Sequence, residues 1–201
     1  MRTDVVKEWE VTDLGEPQKI IGIEITRTPE CITISLSKYI KSILHKEGHE
    51  HCNPVSTPLD PNVQLVPNPD GEIRNCSNSF ARLLGELQYV ANTTQPDISY
   101  AVNRLASYTA NPSLQHTTAL KRMLRYLSGT RSLGIIYKAD NKYPNFIGYT
   151  DASYANADER KSILGYVFIA SGGAITWSSK KQVTKALSLT EAEYVAMSEA
   201  A

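Results

Sequence analysis

Between residues 20 and 37, isoleucine alternates with polar residues on both sides of Thr28-Pro29-Glu30, a pattern that predicts a β-hairpin. Ser37 is then placed to cap a helix whose stripe is Tyr39, Ile40, Ile43 and Leu44, ended by Gly48. Residues 53–79 carry Pro54, Pro58, Pro61, Pro67 and Pro69 among Asn, Asp and Ser, which reads as an extended connector. Helical spacing returns over 79–92, with Phe80, Leu83, Leu84, Leu87 and Val90 in one stripe, and over 97–109 after Pro96. A third stripe, Leu120, Met123, Leu124 and Leu127, spans 112–128, and Gly129 is expected to stop that helix. Three such stripes predict helices packed mainly on one another.

The pattern changes near residue 133. Residues 133–137, 146–154, 163–170 and 174–179 are rich in Ile, Val, Phe and Tyr and read as successive strands, the last two joined by a tight turn at Ser171-Gly172-Gly173. A final helix starts near Ser188 and is still running at Ala201, so a fragment of a longer protein is expected. The fold class is α/β, divided into a hairpin and helical connector over 1–140 and a strand-rich unit over 141–201.

Composition narrows the partners. Lys plus Arg number 21 and Asp plus Glu number 21, so the 201 residues carry no net charge that draws nucleic acid or a membrane, and any basic surface is local. Arg2, Asp4, Lys7, Glu8 and Glu10 interrupt the start of the chain, which excludes a secretory signal there, and no apolar run is long enough for a membrane span. Cys31, Cys52 and Cys76 are odd in number and unpaired in spacing, as in a reducing compartment; a cytosolic product is expected.

Asp151, within Gly148-Tyr149-Thr150-Asp151-Ala152-Ser153, places a carboxylate inside an apolar strand. Such a group is paired, hydrogen-bonded or cation-bound if buried, and read alone it more often faces solvent or ends the strand. At the last helix, Ser188 with Glu191 and Thr190 with Glu193 both have capping-box spacing. One terminus forms one box, so one glutamate is left over, and beside Asp151 it would give the two carboxylates a divalent ion needs. Lys180, Lys181 and Lys185 are placed to track a phosphate backbone with Trp177 near for stacking, or to line a solvated loop. His45, His49, His51 and Cys52 lack a second ligand group, so they read as surface histidines with a buried cysteine and not as a zinc site.

The runs Gly148-Tyr149-Thr150-Asp151-Ala152, Gly165-Tyr166-Val167-Phe168, Ile175-Thr176-Trp177, Ser179-Lys180-Lys181-Gln182 and Thr190-Glu191-Ala192-Glu193-Tyr194 resemble the ribonuclease H domain of copia-type LTR retrotransposon polyproteins. Gly22-Ile23-Glu24-Ile25, Thr57-Pro58-Leu59, Gln95-Pro96-Asp97-Ile98-Ser99-Tyr100 and Leu124-Arg125-Tyr126-Leu127 resemble the segment of that polyprotein joining reverse transcriptase to ribonuclease H. The resemblance implies a ribonuclease H-like mixed sheet with its first helix, truncated, in which Asp151 and Glu193 match the first two carboxylates of a two-ion site. It also implies Mg2+ in the intact family, an RNA/DNA hybrid or the rest of a Pol polyprotein as partner, and a cytoplasmic or nuclear location. The family's Tyr-x-Asp-Asp motif and later carboxylates find no match, so this chain alone is expected to hold no ion and cleave nothing.

Arg122-Met123-Leu124-Arg125 also matches the RxLR tetrapeptide of secreted oomycete effectors, with Asp158-Glu159-Arg160 faintly similar to the acidic motif that follows it there. That alternative implies secretion into a host cell and a host plant protein as partner. Helical spacing places Leu124 on the apolar stripe and Arg122 and Arg125 on a solvated face.

Overall fold

The computed structural model describes residues 15–68, 77–139, 146–155 and 160–201. The alternating isoleucines fold as expected. Strands β1 (Lys19–Ile20), β2 (Ile23–Arg27) and β3 (Cys31–Ser35) are antiparallel, with Ile25 opposite Ile34. The β2–β3 turn is held by Thr28, whose backbone amide donates to Cys31 O at 2.9 Å and whose Oγ1 accepts from the amides of Glu30 and Cys31. The β1–β2 turn puts Ile21 and Gly22 at φ 51° and 88°, and Tyr89 Oη donates to Ile21 O at 2.5 Å. A β-branched residue resists that conformation, so the tyrosine bond restrains a strained corner.

Helix α1 (Ser37–Lys46) begins one residue earlier than the capping pattern suggests: Leu36 is the cap residue, and its carbonyl accepts from Ile40 N. Leu36 is fully buried, so core packing and not a serine cap fixes the start. Helix α2 (Ser77–Thr93) is followed by a 3-10 turn, Pro96–Ile98, then α3 (Ser99–Ala106) and α4 (Leu114–Thr130). The span expected at 97–109 is thus two pieces. Stripes from all four helices merge into one core that includes Ile40, Leu44, Leu87, Val90, Val102, Leu105, Met123 and Leu127.

Gly129 does not stop α4, which runs on to Thr130. A Cβ at Gly129 would lie 3.0 Å from Pro54 Cβ, so the glycine admits the connector against the helix. The described part of that connector, residues 53–68, has no helix or strand, yet it is tied down at several points. Arg125 Nε donates to Asn53 O at 2.8 Å, Arg122 Nη2 to Thr57 Oγ1 at 2.9 Å, and Tyr108 Oη to Leu65 O at 3.0 Å.

Strand β4 (Ile135–Lys138) corrects the reading of 133–137 as the first of the C-terminal strands. It pairs antiparallel with β3, giving a four-stranded sheet in the order β1-β2-β3-β4. Strands β5 (Ile147–Ser153), β6 (Ile163–Ala170) and β7 (Gly173–Lys181) form a separate three-stranded sheet, its last turn carrying Ser171 and Gly172 at φ 51° and 79°. Every pair in it is antiparallel, so among the described residues the sheet is a meander and not mixed; consecutive strands joined by short links cannot run parallel. Helix α5 (Leu189–Ala200) lies on this sheet, with Ala192 and Ala196 packed in one cluster with Ala152 and Leu164.

The two sheets abut. Lys138 N donates to Ser171 O at 2.8 Å, Tyr137 Oη to Ala174 O at 2.7 Å, and Gly173 leaves room for the Tyr137 ring. The second sheet also reaches the helical layer, because Trp177 Nε1 donates to Ala91 O at 2.8 Å. Phe146, Tyr149, Val183, Leu187 and Tyr194 are exposed on this C-terminal unit. Among the described residues no helix is long and apolar enough to cross a membrane.

Candidate functional site

Which glutamate is left over at α5 follows from its cap. Ser188 is the extended cap residue, its Oγ accepts from Glu191 N at 3.1 Å, and Glu191 Oε2 accepts from Leu187 N at 2.7 Å. The box is therefore Ser188 with Glu191, closed one amide early, and Glu193 is not used in capping.

Glu193 is half-buried on α5, and Asp151 sits on β5 opposite Gly165, exposed and not buried in the strand. Each is the immediate chain neighbour of an alanine in the helix–sheet seam: Ala192 for Glu193, Ala152 for Asp151. Neither carboxylate has a hydrogen-bond or ion-pair partner among the described residues. Water therefore supplies the solvation that Asp151 needs, and no cation among the described residues neutralises either group.

Two buried polar residues hold the seam, and hydrophobic periodicity gave no sign of them. Gln182 donates from its backbone to Ser162 O and from Nε2 to Ala192 O, both at 2.8 Å. Ser162, fully buried, accepts from Ala155 N through Oγ. These bonds fix the end of β7 and the turn after β5 to the first turns of α5, and so set where the two carboxylates stand.

The basic track expected around β7 is not assembled as one face. Lys180 Nζ is bound to Glu199 of α5 at 2.5 Å, and strand alternation directs its neighbour Lys181 to the opposite side of the sheet. Lys185 lies in the exposed loop beyond. Trp177 is not presented for stacking, since its indole is spent on α2. His45 pairs with Glu50 at 3.0 Å, His49 bonds Glu47 O, and Cys52 is half-buried and not buried. No group of three His, Cys, Asp or Glu among the described residues is arranged to hold a metal.

The RxLR tetrapeptide is part of α4. Met123 and Leu124 are buried in the core. Arg122 and Arg125, expected on a solvated face, instead reach back to the connector, with Arg122 Nη1 also 3.6 Å from Asp60. Asp158 and Glu159 lie outside the described residues.

Comparison with known proteins yields no matching family model and no matching solved structure. Among curated proteins the chain is 38% identical, over 99% of its length, to the retrovirus-related Pol polyprotein from transposon TNT 1-94 of Nicotiana tabacum. It is 38% identical over 94% of its length to the corresponding polyprotein from transposon RE1 of Arabidopsis thaliana. The chain belongs to the copia-type retrotransposon Pol family. It spans 15% of the tobacco polyprotein and 13% of the Arabidopsis one. This Pol-family chain is also 42% identical, over 60% of its length, to secreted RxLR effector protein 161 of Plasmopara viticola, of which it covers 85%.

The donor set fits a hard divalent ion in kind, since both groups are carboxylates with no cation paired to them among the described residues. It does not fit in number: two carboxylates are too few to hold and align two ions.

Proposed function

We propose that residues 141–201 form the opening part of a ribonuclease H-like domain within a Pol polyprotein, and that Asp151 and Glu193 are two of its ion-holding carboxylates. The observation that supports this reading is the Ser188–Glu191 cap, which leaves Glu193 out of the cap on the helix that packs against β5, the strand that carries Asp151. In the completed domain, divalent ions would activate water against the RNA strand of an RNA/DNA hybrid. With two such carboxylates among the described residues, this chain by itself is expected not to cleave hybrid.

Titration of the isotope-labelled chain with Mn2+ tests the assignment. Two carboxylates that cannot hold an aligned pair of ions can still be visited by one in fast exchange, so weak paramagnetic broadening is expected to begin at Asp151 and Glu193 together, and Asp151→Asn is expected to remove it from both. Broadening that begins elsewhere, or that persists at Glu193 in the variant, refutes the shared site. Magnesium-dependent cleavage of a hybrid by the chain itself refutes the inactivity.

The effector reading rests on the Arg122–Arg125 tetrapeptide and on the name of one relative. The tetrapeptide argues against it here, because its leucine is in the core and its arginines are bonded to residues 53–60. A peptide-like recognition signal cannot be read without unfolding α4.

A further inference from the structure

Between the connector and the outer side of α4 runs a groove of about 590 Å³. Val63, Leu65 and Leu114 supply apolar wall, and Lys121, Arg122 and Arg125 supply charge. Val63 and Leu114 are 46% and 61% exposed, so the groove presents apolar surface to solvent. Against the three cations stands one carboxylate, Asp60, so the groove has a positive excess. Lys121 has no ion-pair partner among the described residues, and Nε of Arg122 is buried with no hydrogen-bond acceptor. Asp60, 3.6 Å from Arg122 Nη1, neutralises that guanidinium only in part, so a carboxylate seated in the groove would add a second anionic partner.

We propose that this groove docks an acidic peptide segment that carries apolar anchors, leucine-like side chains entering between Val63 and Leu114 and a carboxylate meeting Arg122 and Lys121. Charge complementarity and the apolar wall together favour a peptide. Single-stranded or hybrid nucleic acid is disfavoured because no aromatic side chain lines the groove to stack a base. The two arginines of the tetrapeptide thus have a role that needs no secretion: they fasten the connector and charge the groove beside it. This inference does not depend on the ribonuclease H-like reading, since it concerns α4 and the connector alone.

The test uses a fluorescein-labelled twelve-residue peptide with leucine at every third or fourth position and glutamate between, its lysine counterpart, and a short RNA/DNA hybrid. Saturable binding of the glutamate peptide is expected, with amide shifts confined to residues 59–65 and 114–125. Leu114→Glu and Lys121→Glu, both at exposed positions, are expected to weaken it at least tenfold while core amide shifts stay in place. The lysine peptide is expected not to bind. Three results would overturn the proposal: no saturable binding, binding indifferent to both variants, or equal shifts of the same residues by the hybrid.

Discussion

Replacing Trp177 with Phe probes the joint between the C-terminal sheet and the helical layer. Ala91 lies in the last turn of α2, where carbonyls lack an intrahelical amide, and it is fully buried. Its oxygen is served by the Trp177 indole at 2.8 Å and, at the long distance of 3.5 Å, by Ser99 Oγ. Phenylalanine keeps most of the apolar contact and removes the N–H, leaving a buried acceptor with only the weak second donor. The expected loss is about 1–3 kcal/mol, equivalent to about 5- to 150-fold in the equilibrium that holds the sheet against the helices. Urea unfolding read by circular dichroism gives the total, and native-state hydrogen exchange at residues 174–179 shows where it falls. The exchange protection of β7 should drop more than that of α4. A variant within 0.5 kcal/mol of the parent, with β7 exchange unchanged, would show that the indole bond does not hold the joint.

Two further outcomes follow from the same structure. Glu86 is 19% exposed, and although burial alone would raise its pKa, Lys46 at 2.7 Å and Arg82 at 2.9 Å outweigh that and hold the carboxyl below its ordinary value of 4.5. Its contribution to stability is therefore present above pH 4.5 and lost as pH falls through the depressed folded value, so Glu86→Gln should flatten the acid limb of the stability curve. Glu24, lowered by its hydrogen bond to Lys38, keeps part of that limb, and an acid limb as steep in the variant as in the parent would count against the Glu86 assignment. Leu124→Ala should cost about 2–5 kcal/mol in urea melts because the side chain is 1% exposed, whereas a cost below 1 kcal/mol would mean that α4 does not bury the tetrapeptide.

Local pattern made the elements legible and left their partners hidden. The Ile stripe of β2 and β3, the four helical stripes and the Ser171-Gly172 turn are visible because each depends on residues a few positions apart. What β4 pairs with is not visible, because Ile135 meets Ile34 across a hundred intervening residues. Gly129 looks like a helix stop until Pro54 is seen against it, and Arg122 and Arg125 look solvated until the connector is laid over α4. The candidate site divides in the same way. Two capping boxes share one spacing, and the bonds from Glu191 N to Ser188 Oγ and from Leu187 N to Glu191 decide between them. Gln182, Ser162 and the use of Trp177 could not be foreseen, since a polar residue near a strand end is ordinarily solvated.

The pairing of β3 with β4 sets a timetable for synthesis. At about 5–20 residues per second, β4 reaches the end of the growing chain roughly 5–20 s after β3, with all four helices made in between. During that interval the hairpin presents a free β3 edge bearing Ile32 and Ile34, a template for any other extended segment. The helices must therefore gather first and carry β4 back to a waiting edge. Ribosome-bound chains stalled before residue 135 are the forms in which this edge is open, and they are where self-association of the nascent polypeptide should concentrate.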